Sequence, residues 1–368
     1  MNNKIFTFYI GIIIVFTCLE VLSATFFYIL NKDIKAYQYY PGRYQKSKDL
    51  GYELTPSWEL NHDILHEKFN SHGFRSPDVK QIKPENHYRI IITGSSIVYG
   101  RTSNEHTISS LLEEKLNELY GKIKTIEVIN AGVPGYNSFH IIKQFENKLK
   151  NFSPDLIINY QFFTDLSIME HGNNIASSGT FDNSINMRFK KKWINVIIDK
   201  SYFLTMLKIA YRNKSLKQKD IDLPSITQVS SSNKNYINKP NEQLETKEKL
   251  TFFKSNMSAL ANHCNNYNID LMLCLPISLY KRYNTPTEIA IIDNYDSKDQ
   301  ILEAIGIGNK MLEEVSTANQ NVYYFDMSRM IESDISLFDD KYHTLEKGND
   351  IVSEELKNFI VSKQLILK

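Results

Sequence analysis

Cysteine is scarce. Three Cys in 368 residues exclude a disulfide-stapled scaffold and a four-Cys zinc site. An excess of either charge is missing too: 43 Lys+Arg face 42 Asp+Glu, a formal charge of +1. Nothing electrostatic therefore points to nucleic acid as a partner. No internal repeat is visible, which sets aside solenoids and propellers. Aromatics make up 12%, so a disordered chain does not fit. Hydrophobic residues at 42% are ordinary for a globular body large enough to bury a core. At roughly 150 residues per domain the length suggests about two domains.

Long apolar runs are also rare, with one exception. Ile5 to Leu30 carries a single charge, Glu20. At about 1.5 Å per residue a helix there outspans a hydrocarbon core of roughly 30 Å. Glu20 costs about 2.5–3.5 kcal/mol if it sits mid-bilayer. Residues 5–30 read first as a single-pass membrane anchor. A cleaved signal peptide, with Leu22-Ser23-Ala24 as a poor cleavage site, and a buried soluble helix are the other readings. Lys4 precedes the run, and Lys32, Lys35, Arg43, Lys46 and Lys48 follow it. That count favours the following side as cytoplasmic, but long domains override such counts, so charge leaves the orientation open.

Residues 31–86 form a polar, Tyr-rich lead-in. His62 and His66 stand at helical i, i+4 spacing, which suits a metal, but no third ligand accompanies them. Solvated or packed histidines are the expectation, with no metal and no cofactor.

From Tyr88 onward apolar runs alternate with amphipathic stretches. Strands are expected at 88–93, 125–130, 155–160, 269–275 and 322–327, and helices at 107–120, 137–152, 247–267, 299–318 and 347–365. Such alternation predicts an α/β fold, a parallel sheet covered on both faces. Ligands then bind beyond the carboxyl ends of the strands. Residues 172–246, rich in Asn, Ser and Lys near Ser230–Gln243 and apolar at Trp193–Ile209, read as an insertion. His171 reads as a loop histidine, and Cys264 and Cys274 as reduced core residues.

The strand ends carry the chemistry. Gly94-Ser95-Ser96 follows the first strand, a turn that holds a serine hydroxyl outward near backbone N–H groups suited to an oxyanion. Gly132 and Gly135 follow the second, where backbone can approach a ligand closely. Gln161 and Thr164-Asp165 follow the third. Asp340 precedes His343 by three positions just ahead of the last helix, a spacing that can hold an imidazole in the tautomer of a general base. All four fall on one edge of one sheet.

This ordered set resembles the SGNH/GDSL hydrolase family over about residues 88–360, outside the insertion. Phe69-Asn70-Ser71-His72-Gly73-Phe74-Arg75 also looks like a segment just ahead of the catalytic domain in membrane-anchored bacterial members. The resemblance implies a three-layer, flavodoxin-like α/β/α sandwich and a metal-free serine esterase or acyl-transfer mechanism. It implies Ser96 as nucleophile, His343 as base and Asp340 as its partner. Oxyanion donors would be Ser96 and Gly135, with Thr164 or Gln161. It also implies an extracytoplasmic domain acting on an O-acyl ester, such as an acetyl group on a surface glycan. Transfer to a glycan, or a decayed binding module, are the alternatives. Two positions depart from the family pattern: Ser95 replaces an Asp, and Thr164 replaces the third-block Asn. Loss of an oxyanion donor costs about 10²–10³ in rate. The expected division is then an anchor at 5–30, a lead-in at 31–86 and one hydrolase-like domain at 87–368.

Overall fold

The computed structural model describes residues 3–29, 43–61, 66–170, 201–204, 206–207, 250–292 and 298–367. Two compact units divide the chain: residues 1–44, 60–62 and 181–234, and residues 45–59, 63–180 and 235–368. In the first, a single helix α1 (Asn3–Ile29) runs through the apolar stretch. Its segment Thr7–Phe26 has a mean hydropathy of 2.0 and is long and apolar enough to cross a membrane.

The second unit is built on five parallel strands: β1 (His87–Thr93), β2 (Thr125–Asn130), β3 (Leu156–Tyr160), β4 (Asp270–Cys274) and β5 (Val322–Tyr324). Their spatial order is β2-β1-β3-β4-β5. That is the flavodoxin-like doubly wound order, whose direction reverses between β1 and β3. The register pairs Ile92 with Asn130 and Ile158, so the carboxyl ends of β1, β2 and β3 finish level. Ile90, Ile91 and Ile92 are buried, as is all of β3. Such unbroken apolar runs are what a sheet covered on both faces requires.

Six further helices matter for the site: α2 (Ser96–Tyr99), α3 (Ile108–Tyr120), α4 (Ser138–Asn147), α5 (Phe163–Glu170), α6 (Thr251–Asn266) and α7 (Lys298–Thr317). The last helix is α8 (Glu346–Ser362). α3 packs on α8, and α6 packs on both α4 and α7. Thr107 caps α3 by accepting the Ser110 N–H, and Ile108, Leu112 and Leu116 form its buried stripe. Leu119, near the end of the same helix, is exposed.

Two elements stop early. β5 ends at Tyr324, and a 3-10 turn over Met327–Arg329 follows. α4 ends at Asn147 and a 3-10 turn over Leu149–Phe152 carries the chain to β3. Cys264 and Cys274 are buried free thiols, with burial pushing both above their usual range. His62, His171 and the patch Ser230–Gln243 lie outside the described residues. Among the described residues no group of three or more potential ligands could hold a metal.

Residues of the lead-in are part of the same unit as the sheet. Arg89, fully buried at the start of β1, pairs with Glu127 and donates to the carbonyls of Lys80, Gln81 and Phe152. Tyr52, Leu54, Phe69 and Phe74 are buried as well.

Candidate active site

Ser96 opens α2, directly after β1. Two glycines permit this placement by close approach. A Cβ on Gly94 would lie 2.6 Å from the Tyr160 carbonyl oxygen and 2.4 Å from Val98. One on Gly132 would lie 2.4 Å from the Tyr99 nitrogen. The turns after β1 and β2 therefore meet backbone to backbone.

The far end of α2 is held by side chains. Asn130 Nδ2 donates to the Val98 carbonyl at 2.8 Å, while Asn130 Oδ1 accepts the Gly132 N–H at 3.0 Å. Arg75 Nη1 donates to the carbonyls of Tyr99 at 2.7 Å and Gly100 at 2.9 Å. Its Nη2 donates to Thr102, and Nε reaches Asn104 Oδ1 at 2.9 Å. Glu67, also buried, accepts the Tyr99 hydroxyl at 2.9 Å. A helix this short leaves its carbonyls unpaired, and the Asn130 and Arg75 donors satisfy them.

His343 arrives on the loop before α8, where Phe338 and Thr344 form an isolated bridge. Asp340 Oδ1 accepts the N–H groups of Tyr342 at 3.0 Å and His343 at 2.9 Å. Its Oδ2 faces His343 Nδ1 at 2.7 Å. With Nδ1–H directed to the carboxylate, His343 Nε2 accepts the Ser96 hydroxyl at 2.8 Å. Ser96, His343 and Asp340 thus form one hydrogen-bonded line. Phe163 stacks on Tyr342, centroids 5.0 Å apart, and walls the loop from the side of α5.

Arg101 closes the outer side. Its Nη2 lies 3.0 Å from Asp340 Oδ2, and its Nη1 pairs with Asp339. Burial alone would raise the Asp340 carboxyl, but the His343 contact, Arg101 and the Tyr342 N–H hold it well below the carboxylate range. Burial and Arg101 lower His343, against the opposing pull of Asp340 and Asp339. The net result is an imidazole neutral at pH 7 and ready to accept a proton.

The oxyanion candidates separate. The backbone N–H groups of Ser96 and Gly135 donate to no group among the described residues. Gly135 takes φ +87°, and a Cβ there would meet the Tyr52 hydroxyl at 2.7 Å. Tyr52 itself donates to the Pro134 carbonyl at 2.5 Å, so the lead-in clamps this turn. Thr164 is half-buried in the first turn of α5, and its hydroxyl has no partner among the described residues. Gln161 does not join them. It is fully buried, and its Nε2 donates to Asp165 Oδ2 at 2.8 Å. Asp165, raised by burial, also accepts the Ser138 N–H at 3.0 Å and so ties α5 to the start of α4. A carboxylate needing several donors draws Gln161 inward.

His140 supports the Gly135 turn from below. It stacks on Tyr136 with centroids 4.6 Å apart, and its Nδ1 accepts the Asn137 N–H at 3.1 Å. Burial lowers its pKa from 6.5 to about 3. Below pH 6.5 the unfolded chain binds a proton that the native imidazole refuses, so stability falls with pH over the window from 6.5 to about 3. At pH 5 the expected loss is about 2 kcal/mol relative to pH 7. Denaturant unfolding at the two pH values measures it, and in His140→Gln the difference should shrink by that amount.

Sequence reasoning missed Arg75 as a brace, Arg101 and Tyr52. No short-range spacing marks them, since each acts on residues far along the chain.

No protein-family model matches the chain, and no curated protein does. Similar solved structures include an acetyl xylan esterase, 15% identical with a TM-score of 0.41 over 74% of this chain and 99% of that one. A lipase/acylhydrolase from Enterococcus faecalis is 13% identical, TM-score 0.42, over 75% of this chain and 96% of that one. A GDSL-like lipase from Bacteroides thetaiotaomicron is 12% identical, TM-score 0.38, over 77% and 93% respectively.

Proposed function

We propose that the chain is a serine ester hydrolase of the SGNH/GDSL family, held at a membrane by α1. One observation carries this reading: His343 bridges Ser96 at 2.8 Å and Asp340 at 2.7 Å at the carboxyl edge of the sheet. The order of the strand-end motifs supports it independently.

In the proposed reaction His343 Nε2 takes the Ser96 hydroxyl proton as Oγ attacks an ester carbonyl carbon. Asp340 holds the imidazolium. The N–H groups of Ser96 and Gly135, with the Thr164 hydroxyl, face the oxyanion that forms. Collapse breaks the ester C–O bond, and His343 returns the proton to the leaving alcohol. Water then attacks the acyl-enzyme, again deprotonated by His343, and releases the acid and free Ser96. The proposed substrate is an O-acyl ester, and the family resemblance favours an O-acetyl group on a surface glycan. The domain would then stand on the extracytoplasmic side.

The test is fluorophosphonate labelling of the full chain in detergent, alongside p-nitrophenyl acetate turnover. Modification at Ser96 with turnover is expected. A folded protein with neither overturns the reading in favour of a binding module. Product analysis with acyl donor and glycan separates transfer, which alone raises acylated glycan above the no-enzyme control.

Arg101 supplies a pH signature. The acid limb of kcat/KM should fall below the ordinary imidazole range, because burial and Arg101 hold His343 down. In Arg101→Ala the cation is gone while Asp340 and Asp339 remain, so the limb should move to higher pH. An unmoved limb would show that Arg101 has no electrostatic hold on His343.

A further inference from the structure

In the unit that contains α1, the charge of Glu20 is met by a distant part of the chain. Ser201 Oγ donates to Glu20 Oε2 at 2.8 Å, the Tyr202 N–H to Oε1 at 2.6 Å, and the Phe203 N–H to Oε2 at 3.1 Å. Ser201 Oγ also accepts the Leu204 N–H at 3.1 Å. A helical turn thus begins on the carboxylate, with its first N–H groups satisfied. Two more contacts follow the same side of α1. Phe16 meets Phe203 edge to face with centroids 6.1 Å apart, and Ser23 Oγ lies 3.9 Å from Met206 Sδ. Phe16, Glu20 and Ser23 stand at i, i+4 and i+7, one stripe of the helix.

Depth gives these contacts their meaning. The apolar stretch of α1 ends at Phe26. Glu20 lies six positions earlier, about 9 Å along the axis at 1.5 Å per residue. Whatever meets Glu20 therefore sits well inside a hydrocarbon layer that is about 30 Å thick. Backbone at such depth is tolerated only where its polar groups are satisfied within the protein. The carboxylate does this for Tyr202 and Phe203, and they in turn satisfy the carboxylate. Among the described residues of the segment the large side chains left exposed are Leu207, 49% exposed, and Tyr202, 39% exposed.

We propose that residues 201–204 and 206–207 belong to a second membrane-embedded element, latched to the anchor by Glu20. The partner of its outer face is the acyl-chain region of a lipid bilayer. This rests on the reading of α1 as a membrane anchor. The charge in the apolar run is then a docking point, since each half supplies what the other lacks.

Site-resolved thiol labelling tests it. The full chain is placed in phosphatidylcholine vesicles with a charged maleimide on both faces, and each site's rate is read by peptide mass spectrometry against the SDS-unfolded chain. Native Cys18, exposed on α1, reports the anchor, while Cys264 and Cys274 are buried. Leu207→Cys reports the segment, and Ile82→Cys, at a residue 86% exposed, is the aqueous reference. Cys18 and position 207 should both react about tenfold or more slowly than position 82. Position 207 reacting like position 82 while Cys18 stays shielded overturns the proposal and leaves the anchor standing. Cys18 reacting like position 82 overturns both. Adding Glu20→Ala should raise labelling at 207 by about tenfold with Cys18 still shielded, as expected for lost charge-assisted hydrogen bonds. Unchanged labelling there overturns the latch.

Discussion

Ser96→Ala is expected to lower kcat/KM for an activated acetyl ester by about 10⁴-fold or more, with the fold intact. The hydroxyl is half-buried, makes its hydrogen bond to His343 and packs little, so its loss removes the nucleophile and almost nothing else. His343→Ala should cost a similar factor, because without the imidazole the hydroxyl keeps its proton. Groups that act as one unit are not additive, so the double variant should be no slower than the worse single by more than about threefold. Circular dichroism and thermal melts establish that the variants fold. Steady-state kinetics with p-nitrophenyl acetate gives the factors. Wild-type turnover in both single variants would remove Ser96 and His343 from the proposed mechanism.

Arg75→Met is expected to destabilise the protein by about 3–5 kcal/mol, the cost of leaving several buried acceptors unsatisfied. Arg75 is fully buried and donates to Tyr99, Gly100, Thr102 and Asn104. Its guanidinium also lies 4.7 Å over the Tyr99 ring. The methionine fills much of the volume but supplies no donor, so the carbonyls of Tyr99, Gly100 and Thr102 lose this partner, while Asn104 Oδ1 keeps the Lys68 N–H. Urea titration at pH 7 measures the loss. Because the same carbonyls end the helix that begins with Ser96, kcat should fall as well. A change below about 1 kcal/mol would mean that water replaces the guanidinium.

The parallel sheet was legible because buried strands such as Ile90-Ile91-Ile92 are uninterrupted apolar runs between helical stripes. The strand-end residues were legible because a doubly wound sheet brings all its carboxyl ends to one edge. Arg75 was visible as part of a short segment, but its brace spans 24 to 29 positions to Tyr99 and Asn104. Tyr52 reaches Pro134 over 82 positions. Pairings of that range leave no periodicity in the chain. Gln161 failed as an expected donor for a related reason: buried Asp165 competes for its amide, and only the packed structure shows which acceptor wins. β5 also ends earlier than its apolar run suggests, at Tyr324, ahead of the 3-10 turn over Met327–Arg329.

The 247 positions that separate Ser96 from His343 also order events in time. Chains emerge from the ribosome amino end first, at about 5–20 residues per second. β1 and its serine are made early, while the loop that carries the imidazole follows every strand of the sheet. In the proposed mechanism Ser96 would have no base during that interval, and the nascent chain would stay chemically silent toward the esters around it. The proposed activity would then wait for the Ser96–His343 contact, which needs the loop before α8 in place.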